Sequence, residues 1–226
     1  VLLARALAAA GVPTLRFDYR GMGDSDGLPH TFEDVDDDIA AAVDCLVAET
    51  GVGSVVLWGL CDGATAAFMY APRDPRVAGV IALNPWARSA QGQSATLLRH
   101  HYLKRLVSAA FWRKVFTGGV DLRAAARGLA STALTASDGT RAHQSFLART
   151  EDGWRRFGRP VLLVLSGNDF TAREFEAWVD ATPARRGLRD AASTQCVAFA
   201  DADHTFSDHA SRDAVAAATL AWIGRL

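Results

Sequence analysis

Residues 55–68 have the sequence VVLWGLCDGATAAF, in which four apolar residues lead into Gly-Leu-Cys-Asp-Gly and then into a helix-forming run. The apolar part predicts a buried strand, and the alanine-rich part predicts the helix that follows it. A turn this sharp strains its central residue, and we expect Gly59 and Gly63 to let strand and helix approach without a clash. Cys61 is therefore the residue predicted at the tip of the turn.

The other cysteines occur in different surroundings. Cys45 and Cys196 each lie within an apolar periodic run, where cysteine commonly packs as a small hydrophobic side chain. We predict that both are structural. Three cysteines placed in this way indicate neither a disulfide framework nor a metal site, and they favour a reducing, cytoplasmic location.

Composition favours a single domain over residues 1–226. Half of the chain is hydrophobic, and the formal net charge is -1, so no global attraction to nucleic acid or to an anionic membrane is expected. No apolar run approaches the roughly 20 residues that span a bilayer. The composition predicts a protein without nucleic-acid partners or stable membrane insertion, and no pattern indicates a cofactor.

The pattern of strands and helices predicts an α/β protein with parallel crossover connections. After an opening amphipathic helix, strands are predicted at TLRFDY, SVVLW, VAGVIALN, VLLVLSG and TQCVAFA (residues 14–19, 54–58, 77–84, 161–167 and 194–200).

A helix is also predicted after the first strand. Thr31 and Asp34 resemble a capping box, and apolar residues then recur at helical spacing. The run Asp36, Asp37, Asp38 could suggest a metal site, but acidic residues on a solvated first helical turn are the preferred interpretation.

The stretch from 87 to 158 interrupts the strand pattern and predicts an inserted helical cap. It is basic in RHHYLKRL and FWRK, residues 99–106 and 111–114. These charges could attract an anionic substrate or a membrane surface, although a solvated helix face is the commoner explanation.

Three residues of catalytic type follow predicted strands. Cys61 ends the strand before the turn, Asp169 follows VLLVLSG, and His204 follows the last strand. Ligand sites form at the carboxyl ends of parallel strands, so the three should lie at one edge. Asp201 and Asp203 compete with Asp169 as partner of His204, but adjacent side chains in an extended segment diverge, which favours Asp169.

Nucleophile, acid and histidine in this chain order resemble the α/β-hydrolase fold. FDYRGMGDSDG, residues 17–27, is similar to the strand and loop that many members carry before the nucleophile turn. The turn departs from Gly-x-Ser-x-Gly by holding cysteine, as in dienelactone-hydrolase-like members. The resemblance implies a Cys61, His204 and Asp169 triad, with the Asp62 amide as one oxyanion donor.

The same resemblance places a second oxyanion donor after a third strand, between TLRFDY and SVVLW. The sequence has no counterpart of that strand. The chain also opens without Met, inside a helical pattern. We therefore expect amino-terminal strands to be missing and this chain to be poorly stable and nearly inactive alone.

A narrower resemblance links RFDYRGMGDSDG, WGLCDGA and the basic insertion to hydrolase 1 of the exosortase A system. This family occurs beside bacterial exopolysaccharide and protein-sorting loci, which implies a cytoplasmic enzyme linked to envelope polysaccharide but no particular reaction. A small-molecule acyl substrate is what the triad implies. Three functions remain open: an ester or thioester hydrolase, an acyltransferase on the same triad, and a non-catalytic binding protein. The residues do not indicate an oligomeric state.

Overall fold

The structure, a computed structural model, describes residues 2–28, 31–87 and 146–226. The chain divides into two units, 1–87 with 148–226 and 88–147, and the first contains the sheet. The predicted cap falls mainly on residues 88–145, which lie outside the described residues.

Within the described part of the chain, four parallel strands form the sheet, and their spatial order is their order in the chain. All four carboxyl ends therefore lie along one edge. This arrangement, with helices against the sheet, confirms the predicted α/β class. The strands are β1 Val55–Leu60, β2 Val77–Leu83, β3 Val161–Ser166 and β4 Thr194–Phe199.

Helices connect and flank the strands. Helix α3 follows β1 directly, which confirms the strand-to-helix turn, while α6 lies in a region where the sequence predicted no helix. The helices are α1 Leu2–Ala9, α2 Asp36–Thr50, α3 Asp62–Tyr70, α4 at 146–157, α5 Phe170–Asp180, α6 Pro183–Arg189 and α7 His209–Ile223, with 3-10 turns at Phe32–Asp34 and Ala71–Arg73.

The core lies against the two middle strands. Strand β3 is buried along its whole length and β2 almost so, as expected for a parallel sheet covered on both faces. On the other side of α3, Phe68 stacks on Trp154 with ring centroids 5.0 Å apart. Each fully buried large side chain contributes roughly 1.5–3 kcal/mol, so these layers hold the strand ends firmly in place.

The predicted strand at Thr14–Tyr19 is wrong for the described structure. This segment forms no ladder with any described residue, and Leu15 and Phe17 are exposed. Alternating apolar residues specify a strand only where a neighbouring strand supplies hydrogen bonds. Strand β1, beside which a partner was expected, pairs only with β2 among the described strands.

The start of α2 also differs from prediction. Thr31 makes no side-chain capping bond, because a 3-10 turn separates it from the α-helix, so the capping box does not form. Asp38 is not on a solvated face: its carboxylate is nearly buried and accepts two hydrogen bonds from the Arg20 guanidinium. Asp36, in the same helical turn as Asp38, forms an ion pair with Arg73.

The two cysteines predicted to be structural are exposed. Cys45 lies on the outer side of α2, and Cys196 lies on the edge strand β4. Their apolar neighbours in sequence point to the core instead, because successive positions on a helix or strand face different directions.

Candidate active site

The turn after β1 places Cys61 in a backbone conformation that non-glycine residues rarely adopt. Its φ is 59° and its ψ is -119°, outside the common allowed regions. Three main-chain bonds hold it there: its amide donates to the Leu83 carbonyl, and its carbonyl accepts from the amides of Thr65 and Trp86. Strain at a single residue held by its surroundings is typical of functional sites.

Gly59 makes this turn possible. A Cβ atom there would lie 2.4 Å from the Gly63 carbonyl carbon and 2.5 Å from the Ala64 nitrogen. Strand and helix therefore meet backbone to backbone. The prediction that Gly63 is also needed to avoid a clash between strand and helix is wrong, because a Cβ atom at Gly63 would meet nothing within 4 Å.

Asp169 lies beyond the end of β3 and caps helix α5. Its carboxylate oxygens accept from the amides of Thr171 at 3.1 Å and Ala172 at 3.0 Å. The residue is buried. A buried carboxylate that accepts from two amides has a fixed orientation. Its remaining lone pairs can therefore accept a hydrogen bond from only one direction.

His204 lies in the direction that the Asp169 carboxylate faces. Its Nδ1 atom lies 2.8 Å from Oδ2 of Asp169, and its side chain is 35% exposed against 7% for the carboxylate. With Nδ1–H donating to the carboxylate, Nε2 is left with a lone pair that can accept a proton. The structure thus brings together two of the predicted residues.

The two competing acids do not take this position. Asp203 holds its own loop, because its carboxylate accepts from the Thr205 and Ser207 amides and from the Ser207 hydroxyl. The Ser207 hydroxyl lowers the pKa of Asp203. Asp201 is exposed. Asp203 therefore shapes the turn that carries the histidine.

Asp62 begins helix α3 directly after Cys61. The first amide groups of a helix have no partner within the helix, so the amide of Asp62 is of the kind that can bind an oxyanion. Its carboxylate accepts from the Gly63 amide at 2.8 Å. Burial raises the pKa of Tyr19, and the charge of Asp62 raises it further.

The segment after β2 was missed by the sequence reasoning. Asn84 is fully buried and hydrogen-bonded to Ser166 and to the main chain of His204. The available signal was a carboxamide at the end of the apolar run VAGVIALN, which was predicted as a strand through Asn84 without a role for that side chain. A buried amide needs hydrogen-bond partners, so an asparagine at the end of an apolar strand indicates a polar network at that strand end.

Metal ligation finds no support in the described residues. No group of three or more His, Cys, Asp or Glu side chains there could hold a metal ion. Within residues 2–28, 31–87 and 146–226, every helix is too short or too polar to cross a membrane.

Comparison with known proteins identifies a family. Residues 1–218 match the sequence profile of the alpha/beta hydrolase family. Among solved structures, a monoacylglycerol lipase from Paleococcus ferrophilus is 19% identical, with a TM-score of 0.59 over 98% of this chain and 86% of that one. An esterase from Pyrococcus furiosus is 13% identical, with a TM-score of 0.63 over 99% and 73%. At these identities the likeness shows the fold.

One curated relative has a longer chain. A thiohydrolase from Arthrinium phaeospermum, apmlB, is 37% identical over 90 residues. The alignment covers 37% of this chain and 29% of that relative, so it spans less than a third of the relative's length.

Proposed function

The chain belongs to the alpha/beta hydrolase family, and on that premise we propose that it hydrolyses an ester or thioester through a covalent intermediate on Cys61. The observation that carries the proposal is the 2.8 Å contact between His204 and Asp169, at the same sheet edge as the strained Cys61 turn. The relative named a thiohydrolase supports a thioester as one substrate class.

The mechanism follows from the three side chains. A thiol with an ordinary pKa of about 8.5 is only slightly ionised at neutral pH, but a helix amino terminus and an imidazole favour the thiolate. The Cys61 sulfur attacks the acyl carbonyl, and His204 takes the thiol proton and delivers it to the departing alcohol or thiol. Water, deprotonated by His204, then releases the acid and restores the thiol.

Asp169 and Asp62 support these steps. The Asp169 carboxylate holds the His204 tautomer whose Nε2 accepts the proton, and it stabilises the imidazolium that forms. The Asp62 amide, next to the nucleophile, donates to the oxyanion of the tetrahedral intermediate. The substrate on this proposal is a small acyl compound, and no cofactor enters any step.

The wider setting of the activity is also a proposal. The resemblance of RFDYRGMGDSDG and WGLCDGA to hydrolase 1 of the exosortase A system supports a bacterial, cytoplasmic role connected with envelope polysaccharide.

Trapping of the intermediate tests the chemistry. The protein is incubated with short acyl esters and acyl thioesters, quenched in acid, digested and mapped by mass spectrometry. We expect the acyl mass on the Cys61 peptide, and its loss on treatment with neutral hydroxylamine, which cleaves thioesters. Cys45→Ala serves as the matched control and should keep the adduct. Turnover by Cys61→Ala, or an adduct on another residue, would contradict the proposal.

The choice of acyl acceptor distinguishes hydrolysis from acyl transfer. The same reactions are repeated with sugar and amine acceptors, and the products are identified by mass. Free acid as the main product supports hydrolysis. Acyl sugar or acyl amine as the main product would show that the same intermediate serves a transferase.

A further inference from the structure

The residue directly after strand β2 carries a buried carboxamide and has an unusual backbone conformation. Asn84 is 0% exposed and has a φ of 40°. Asparagine tolerates positive φ better than most residues, but an apolar strand end would not need an amide at all. A buried amide is costly unless its donors and acceptor are used.

All hydrogen-bonding groups of that carboxamide have partners. Its Oδ1 accepts from the Ser166 amide at 2.9 Å, and its Nδ2 donates to the Ser166 hydroxyl at 2.8 Å. The second Nδ2 proton goes to the main-chain carbonyl of His204 at 2.9 Å. Asn84 thus joins the carboxyl ends of β2 and β3 to the loop that carries the histidine.

The same short segment also holds Cys61. The Leu83 carbonyl accepts from the Cys61 amide at 2.9 Å, and the Trp86 amide donates to the Cys61 carbonyl at 3.1 Å. The buried hydroxyl of Thr65 donates to the carbonyls of Trp86 at 2.9 Å and Cys61 at 3.3 Å. Residues 83–86 are therefore a common frame for the main chains of Cys61 and His204.

We propose that Asn84 is a positioning residue, which sets the location of His204 relative to Cys61 through its bond to the His204 carbonyl. The inference rests on the proposed function, in which those two residues exchange a proton. Asp169 fixes the imidazole at one ring nitrogen, and Asn84 fixes the main chain from which the ring extends. Two anchors on different atoms determine where Nε2 lies, and a misplacement of about 1 Å can cost roughly a hundredfold in rate.

Asn84→Asp isolates the bond to His204. The carboxylate keeps the size of the amide and still accepts from the Ser166 amide, and the Ser166 hydroxyl can rotate to donate to it. While this carboxyl is ionised, the His204 carbonyl loses its donor and faces a negative charge instead, so the variant is measured over a pH range that extends well above neutral. Ser166→Ala is the matched control, because it removes a buried partner of Asn84 and leaves the bond to His204 in place.

Two measurements are made on folded protein. In turnover, we expect Asn84→Asp to lower kcat about tenfold or more with little change in KM, and Ser166→Ala to stay within about twofold of the parent. In proton NMR, the parent should show a low-field imidazole Nδ1–H resonance from the bond to Asp169. Asn84→Asp should shift or broaden that resonance, and Ser166→Ala should preserve it.

The NMR measurement needs no turnover, so it tests the positioning role even if the protein proves not to be a hydrolase. An unchanged resonance in Asn84→Asp would overturn the inference, as would equal effects of Asn84→Asp and Ser166→Ala. If Asn84→Asp does not fold, Asn84→Gly, which accommodates positive φ, replaces it with the same expected results.

Discussion

Nδ1 of His204 lies 2.8 Å from Oδ2 of Asp169, although 35 residues separate the two in the chain. The contact exists because strands β3 and β4 are adjacent and parallel, so the loops that follow them leave the sheet at the same edge. Asp169 also caps α5, so the two amides of that helix terminus fix the orientation of the carboxylate that faces His204.

Asp169→Asn is expected to lower turnover by about four orders of magnitude while the protein stays folded. The amide cannot accept the imidazole Nδ1–H in the same geometry, so the wrong histidine tautomer is favoured. Asn remains a good helix cap, so the loss of stability should be small. Steady-state kinetics and thermal unfolding measure the two effects.

Asp203→Asn is the control for that comparison. Its carboxylate bonds to Thr205 and Ser207 within its own loop, while Asp169 holds the imidazole, so turnover should fall less than tenfold. A larger loss from Asp203→Asn than from Asp169→Asn would reverse the assignment of the acid.

Alkylation should distinguish the three thiols by reactivity. Cys45 and Cys196 are exposed, so access gives Cys61 no advantage. Desolvation raises the pKa of Cys196, which slows its reaction at neutral pH. We expect a limiting dose of iodoacetamide to label Cys61 about tenfold faster than either, because in the proposed mechanism His204 and the amino terminus of α3 favour its thiolate. Peptide mapping by mass spectrometry gives the three rates.

His204→Ala is the control for the labelling experiment. It should bring the rate at Cys61 close to the rate at Cys45, which acts as an internal reference and should not change. If Cys61 reacts no faster than Cys45 in the parent protein, its activation by the site is disproved.

Gly59→Ala and Gly63→Ala should have opposite effects on stability. The first places a Cβ atom 2.4 Å from a backbone carbon, where no flexible side chain can move aside, so we expect a loss of roughly 3 kcal/mol. The second adds a methyl group to α3 in open space and improves helix propensity, a gain of about 0.5–1 kcal/mol. Urea unfolding measures both, and similar losses at the two positions would contradict the steric analysis.

Asp38 should make stability depend on pH in the acid range. Its hydrogen bonds from Arg20 lower its pKa below the usual 3.8. A lowered pKa in the folded state means that the stabilisation is present above the unfolded pKa and is lost as pH falls through the folded one. Asp38→Asn should therefore unfold at less urea than the parent at pH 7, and the difference should shrink below about pH 4.

Asp37→Asn is the matched control for the acid-range measurement. Asp37 is the next residue, but its side chain is 91% exposed and its contact with Arg20 is 3.9 Å. Its substitution should change stability little at any pH. A difference for Asp38→Asn that persists unchanged to pH 3 would show that the pair acts through packing alone.

The sequence predicted the features of the candidate site that depend on where the strands end. Cys61, Asp169 and His204 each follow a buried strand, and in a parallel sheet that fact alone places them at one edge. The need for Gly59 was also predictable, because the direct passage from β1 into α3 leaves no room for a side chain.

The features that the sequence did not predict depend on neighbours distant in the chain. Leu15 and Phe17 alternate like strand residues, but no described strand lies beside them. The pairing of Arg20 with Asp38 joins the loop before α2 to the first turn of that helix, so neither residue alone indicates it. Asn84 was missed for the same reason, since its partners are 82 and 120 residues away.

The main-chain bonds at position 61 make the geometry of the turn independent of the side chain that the turn carries. The amide and carbonyl of this residue, bonded to Leu83, Thr65 and Trp86, hold the turn, and those atoms are common to every amino acid except proline. Exchange of sulfur for oxygen on the side chain leaves all of these bonds intact. The same turn could therefore present either a thiol or a hydroxyl group at this position without any change in its main-chain bonds.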